Sequence, residues 1–322
     1  MNATHTALVT GATSGLGFEA AAQLAENDWS HVIITGRTST KVEEARVRLV
    51  ERTGRDIFST LTVDLAKPNE VLRVATALPE AFDSIDFLLL NAGMVSGSRL
   101  LRNEEGLELT FASSLVGHHQ LTMQLLADGR LSEDADIVIA GSEAARGDVP
   151  TFNPTDLTAL ADADYRGDRV AAAEALIRGT GVTYKPATAY ADTKLFVAWW
   201  AAELSRRLPA GMSVNAVSPG SAPDTDAARH ANFFMKHVMM PMFKHAPKRF
   251  GMSAPVSVAA ARYLEVQALD GVTGEFFASA PKKMTGPIET MRSPHLLNEI
   301  DQRAAWEATV KVSGGIDYTV SV

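Results

Sequence analysis

The chain has 322 residues, a formal net charge of −8 and no cysteine. That composition excludes disulfides and thiolate metal sites and gives no support for nucleic-acid binding. Its length allows one large domain or two small ones. No uncharged run of about 18 apolar residues appears, so no membrane span is expected. The first strand pattern starts within ten residues of Met1, leaving no room for a signal peptide, so the cytoplasm is the expected location.

The pattern alternates strand and helix, with strands at about 5–10, 31–35, 57–63, 86–91, 136–141, 212–217 and 273–278. This predicts an α/β fold: a single Rossmann-type, doubly wound parallel sheet with helices on both faces. The motifs from residue 10 to 220 fit one such sheet, so residues 1–322 are read as a single domain. The first strand leads into Thr10-Gly11-Ala12-Thr13-Ser14-Gly15-Leu16-Gly17, then a helical run from Phe18 to Asn27. A glycine-rich turn of this kind lets backbone N–H groups and a helix N-terminus approach a phosphate. Its Gly-x-x-x-Gly-x-Gly spacing differs from the Gly-x-Gly-x-x-Gly of other dinucleotide folds, and it lacks the ending of a P-loop.

After the second strand come Gly36 and Arg37. Enzymes selective for NAD place a carboxylate near this point; a guanidinium instead matches the 2′-phosphate of NADP, or is a surface arginine before a helix. Asp64-Leu65 follows the third strand, where an acidic side chain suits an adenine amino group. Asn91-Ala92-Gly93 ends the fourth, and small residues there admit a cofactor close to the backbone. Tyr190 and Lys194 lie one helical turn apart and share a face. A cation beside a phenol favours the phenolate and brings its pKa toward neutrality.

Together Thr10 to Gly17, Asp64-Leu65, Asn91-Ala92-Gly93, Ser142, Tyr190-x-x-x-Lys194 and Ser218-Pro219-Gly220 resemble the short-chain dehydrogenase/reductase family. Glu108-Leu109-Thr110-Phe111 with Gly117-His118 resembles its retinol dehydrogenase and protochlorophyllide reductase branch. So do the stretches Gly271 to Phe277 and Arg303 to Gly314. The resemblance implies an NADP(H)-dependent oxidoreductase in which Tyr190 is the acid/base and Ser142 orients the carbonyl oxygen. It implies that Lys194 lowers the Tyr190 pKa and holds the nicotinamide ribose, and that Pro219-Gly220 walls the nicotinamide. Cofactor contacts fall to Thr10, Gly11, Ser14, Gly15, Leu16, Gly17, Arg37, Asp64, Leu65, Asn91, Ala92, Gly93, Tyr190, Lys194, Pro219 and Gly220.

Two positions depart from the family pattern. Ser114 stands where the family has an asparagine that helps hold a proton-relay water, and a serine is shorter with one donor rather than two. Asp224 stands where a threonine often contacts the cofactor amide, with Thr225 one residue late. The lack of cysteine speaks against a photoactive protochlorophyllide reductase.

The spacing from Ser142 to Tyr190 implies an insertion, roughly 146–187, with a short helix from Asp168 to Arg178. It is read either as a lid beside the substrate or as a surface feature. The methionine-rich run Phe233 to Phe243, in a 221–250 substrate loop region, suggests a lipophilic carbonyl or alcohol. Burial against the core or a partner subunit, or a peripheral membrane contact, are its other readings. The Tyr190 helix is apolar nearly all round, so the insertion or a second subunit should cover its outer side, which leaves a homo-oligomer open. The histidines are scattered, and no metal site is expected. Two other functions stay open: an NADP-binding sensor with weak turnover because of Ser114, and reduction of an imine or conjugated double bond.

Overall fold

The computed structural model describes residues 5–76, 84–222 and 253–317. The 221–250 loop region, with its methionine-rich run and Asp224-Thr225, lies almost wholly outside them. Eight strands form one sheet in the order β3-β2-β1-β4-β5-β6-β7-β8. They are β1 (Thr6–Val9), β2 (His31–Gly36), β3 (Phe58–Thr62), β4 (Ile85–Leu90), β5 (Leu131–Ala140), β6 (Ser213–Val217), β7 (Phe276–Ser279) and β8 (Ile288–Thr290). The first seven are parallel; β8 pairs antiparallel with β7 and extends the expected sheet by one edge strand.

The strands read as continuous apolar runs because both faces are buried. Their residues alternate between two cores. Leu8, Ile33, Leu88, Leu90, Ile137 and Ile139 enter one. Ala7, Val9, Val32, Ile34, Phe87, Leu89 and Val138 enter the other. The second core is closed by α1 (Gly15–Glu26), α2 (Ser39–Thr53) and α9 (Val256–Gln267). The first is closed by α3 (Pro68–Thr76), α5 (Gly117–Ala127) and α8 (Pro186–Ser205). A short α4 (Leu109–Phe111) runs through a π turn (Ala112–Val116) directly into α5.

The segment 146–187 carries α6 (Leu157–Asp164) and α7 (Arg169–Arg178), each started by an aspartate cap. Asp156 accepts from the Ala159 N–H at 3.0 Å and Asp168 from the Ala171 N–H at 2.9 Å. Gly179, left-handed at φ 61°, ends α7 as its sequence position predicts. With α10 (Glu299–Val312), α7 packs over the outer side of α8. Trp200 stacks on Trp306 at 6.4 Å, and the Trp199 indole donates to the His295 carbonyl at 2.9 Å. The apolar outer face of α8 is therefore covered within the chain.

Helix α5 reaches the sheet closely because Gly117 lacks a side chain: a Cβ there would overlap the Leu65 carbonyl. We expect Gly117→Ala to cost about 1–3 kcal/mol. A urea denaturation midpoint equal to the parent's would show that α5 does not press on this strand end.

Candidate active site

The order β3-β2-β1-β4 reverses direction between β1 and β4, and ligand crevices in doubly wound sheets open beyond such a point. Here the glycine-rich turn meets the end of β4. Gly11 (φ 67°) and Gly15 (φ 60°) hold left-handed conformations. A Cβ on Gly11 would lie 2.9 Å from Ala92 Cα, and one on Gly17 2.6 Å from the Gly11 carbonyl. Helix α1 starts at this turn with no acidic residue in its first turn, and its cap residue Ser14 makes no side-chain capping bond. Its N–H groups and positive dipole end are thus left for an anion. Leu16 packs on the second core, and Arg37 is exposed just past β2. Arg48, which no motif marked, donates to the Thr13 carbonyl at 2.7 Å and lies over the Phe18 ring.

Asn91 turns its amide inward, donating to the Thr10 carbonyl at 2.9 Å and accepting from the Tyr263 hydroxyl at 3.3 Å. It braces the turn. The Ala92 N–H donates to the Thr10 hydroxyl at 3.0 Å, and Gly93 is exposed beside Ser114. Asp64 caps its own loop through the Ala66 N–H at 3.1 Å, and Leu65 is buried.

Ser142 begins the 3₁₀ turn Glu143–Arg146 after β5, its hydroxyl accepting from the Ala144 N–H at 3.2 Å. Tyr190 on α8 is hydrogen-bonded to Ser142. Lys194, one turn on, is buried and donates to the Ala140 carbonyl at 2.7 Å, with its ammonium 5.9 Å from the Tyr190 ring centre. Burial brings the Lys194 pKa down to about 8. Burial raises that of Tyr190; the bond with Ser142 lowers it and the Glu143 carboxylate raises it further. The expected lowering by Lys194 does not dominate in this arrangement, because the ammonium faces the ring and Ala140 while burial acts on the hydroxyl. Pro219 and Gly220 (φ 80°) are half-buried past β6.

Ser114 lies in the π turn, a helix irregularity frequent at functional sites, and its buried hydroxyl has no partner among the described residues. Its carbonyl is 3.1 Å from His118 Nδ1. A carbonyl only accepts, so Nδ1 carries the proton. Burial holds the His118 pKa down to about 3, so the ring is neutral and Nε2 accepts from the Thr10 hydroxyl at 3.0 Å. His119 is held likewise, at about 4 by burial, between the Ile316 carbonyl (2.8 Å) and the Trp200 indole (3.2 Å). Sequence reading noted His118 only as part of a motif and missed this link.

An apolar wall also adjoins Tyr190. Phe152, from the 146–187 segment, packs its ring 5.6 Å from the phenol, with Val149, Ala144 and Met284 around it. Among the described residues, no group of three or more His, Cys, Asp or Glu is placed to hold a metal ion.

A family model described as short chain dehydrogenase matches residues 5–154. A WW domain-containing oxidoreductase of Gallus gallus is 28% identical over 95% of this chain and 67% of its own length. The Homo sapiens protein of that name is 29% identical over 91% of this chain and 66% of its own. The chain thus spans about two thirds of these relatives. Retinol dehydrogenase 13 of Homo sapiens is 27% identical over 88% of this chain and 78% of its own length. Among solved structures, an uncharacterised protein from Mycobacterium paratuberculosis aligns with TM-score 0.67 and 23% identity, covering 97% of this chain and 94% of that one. A short chain dehydrogenase from Burkholderia cenocepacia in complex with NADP aligns with TM-score 0.59 and 24% identity, covering 85% and 95%. At these identities the structural likeness establishes the fold.

The buried histidines set an acid limit on stability. Both have folded pKa values, about 3 and about 4, below the ordinary 6.5, so the unfolded chain takes up their protons first. Stability therefore falls as pH drops below 6.5, by about 1.4 kcal/mol per unit for each ring. Asp192, raised by burial to about 7 from 3.8, acts oppositely across this window and cancels about one ring's share. Urea unfolding at pH 6.5 and 4.5 should show a loss of about 2 kcal/mol from these three groups. A flat or rising stability would mean that the histidines are not neutral and buried.

Proposed function

We propose that the chain is a short-chain dehydrogenase/reductase, an NADP(H)-dependent oxidoreductase interconverting a lipophilic ketone or aldehyde and its alcohol; the match to the family model over residues 5–154 and the likeness to the oxidoreductases above support this. The observation that carries this reading is the meeting of Ser142, Tyr190 and Lys194 at the carboxyl end of β5. They lie on the same edge of the sheet as the glycine-rich turn.

A nicotinamide cofactor, when bound, would supply the hydride in reduction and take it up in oxidation. In reduction, the Tyr190 hydroxyl gives its proton to the substrate oxygen while the Ser142 hydroxyl donates a hydrogen bond to it. The oxygen's growing negative charge is thus met by two fixed donors. The buried charge of Lys194 favours the phenolate that remains. In this reading the turn from Thr10 to Gly17 takes the pyrophosphate, Asp64 and Leu65 border the adenine, and Ala92, Gly93, Pro219 and Gly220 line the nicotinamide. Asn91 holds the turn that does this binding.

Preference for NADP rests on Arg37 and the absence of a carboxylate at Gly36. The NADP complexes of the Burkholderia cenocepacia dehydrogenase and of Pseudomonas aeruginosa RhlG, which share the fold, support it. A lipophilic substrate is supported by Phe152, Val149 and Met284 beside Tyr190. Among the described residues no helix is long and apolar enough to cross a membrane; action in the cytoplasm is part of the proposal. The unpartnered Ser114 hydroxyl favours a second reading, tight cofactor binding with slow turnover.

Titration with NADPH and NADH, then assay of NADPH oxidation with lipophilic ketones and aldehydes, tests both readings. Tight NADPH binding without oxidation by any carbonyl favours the second, and no binding of either cofactor removes both. Arg37→Ala should weaken NADPH binding by about 10–100-fold, the loss of one charged phosphate contact, and leave NADH nearly unchanged. Equal weakening of both cofactors removes the phosphate role. Tyr190→Phe should lower kcat for carbonyl reduction by about 10²–10⁴-fold with NADPH affinity within a few-fold of the parent. Loss of affinity in parallel with rate would make Tyr190 a structural residue.

A further inference from the structure

Glu143 follows Ser142 directly and is 1% exposed, yet no motif accounts for it. Its Oε2 accepts from the Ser218 hydroxyl. Its Oε1 accepts from the Ser279 hydroxyl at 3.0 Å and stands 3.5 Å from Nη1 of Arg262, itself 5% exposed. Arg262 on α9 donates to the Ser218 carbonyl at 2.9 Å, the Ser279 hydroxyl at 2.9 Å and the Gly286 carbonyl at 2.6 Å. The Ser218 hydroxyl also accepts the Gly220 N–H at 3.2 Å. One ion pair thus joins the ends of β5, β6 and β7. Gly220 sits directly on it: a Cβ there would lie 2.7 Å from Arg262 Nη1.

Burying two charges costs desolvation that apolar residues of the same shape avoid, so such a pair is weak evidence of a stabilising role alone. Its position suggests another. We propose that Glu143 and Arg262 are positioning residues: the pair holds the Ser142 turn and the Pro219-Gly220 wall in one frame, and its opposite charges set the potential at the Tyr190 oxygen. This rests on the oxidoreductase reading above.

Among the described residues, three ionisable groups lie near Tyr190. Lys194 lies on its own helix, Glu143 in the turn after β5, and Tyr263 on α9. Of these only Glu143 brings negative charge from another element, and it raises the phenol's pKa after burial has done so. Arg262 is its counterion. The other cation of that turn, Arg146, is paired with Asp148 at 3.0 Å and donates to the Ala280 and Lys283 carbonyls.

The test is the pH profile of kcat/KM for NADPH-dependent carbonyl reduction in the parent, Glu143→Gln, Arg262→Met and the double variant. Reduction needs the protonated phenol, so the rate falls as pH rises through the Tyr190 pKa. Glu143→Gln should move that inflection down by about one pH unit, because a negative charge is lost and Arg262 is left unopposed. Arg262→Met should move it up, and the double variant should return it close to the parent. If Arg262→Met does not fold, Arg262→Lys, which keeps the charge, should keep the parent inflection while Glu143→Gln still shifts it. Folded variants that bind NADPH like the parent and share its inflection overturn the proposal and leave the oxidoreductase reading standing. A parent that binds NADPH but reduces no carbonyl overturns both.

Discussion

Strands β1 and β4 end side by side although far apart in sequence, and a single hydroxyl reconciles their ends. Thr10 Oγ1 lies 3.2 Å from the Leu89 carbonyl, 3.0 Å from the Ala92 N–H and 3.0 Å from His118 Nε2. With His118 neutral and its Nδ1 proton on the Ser114 carbonyl, the Thr10 proton points at the imidazole. The glycine-rich turn, the segment after β4 and the π turn of the Ser114 helix are therefore held in one geometry. An unmet donor or acceptor at such depth would cost about 1–3 kcal/mol, so the three pieces are coupled by satisfaction of buried polar groups rather than by shape alone.

The parts of the fold that follow from local chemistry were legible in the sequence. Apolar runs such as Leu88-Leu89-Leu90 mark strands buried on both faces, and Asp168 with Gly179 marks both ends of α7. The parts set by distant partners were not. Strand β8, Ile288-Glu289-Thr290, has one apolar residue and exists through its pairing with β7. The start of β5 is interrupted by the polar run Ser132-Glu133-Asp134, and its register on β4 is irregular. The π turn, with Ser114 beside Gly93 and Gly117 against Leu65, has no signature in the local spacing. At the site, Ser142, Tyr190 and Lys194 stand together as their motif implies. Glu143, Arg262 and Phe152 carry no signature because their partners come from elsewhere in the chain.

The segment 146–187 meets the Tyr190 helix at two places. Near its start, Val149 and Phe152 border Tyr190; further on, α7 packs with α10 over the outer side of the Tyr190 helix. It is tied down at several points: Asp192 accepts the Thr155 N–H at 2.6 Å, Arg169 pairs with Asp301 at 3.3 Å, and Glu174 pairs with Lys311 at 2.6 Å. Helix α8 therefore lies between the sheet and a second helical layer, and the phenol and ammonium it carries sit on a rigid element. Rigidity of this kind keeps reacting groups in register.

The cover that α10 gives to α8 also has a consequence for the order of synthesis. Trp306 packs on Trp200, and the Trp199 indole is anchored at His295, so two large indoles near the middle of the chain wait for residues near its end. While the nascent chain lengthens from one to the other, that apolar surface stays open to water and to other chains. Such exposure is a recognised source of aggregation during folding, and it lasts longer when the covering segment is made late.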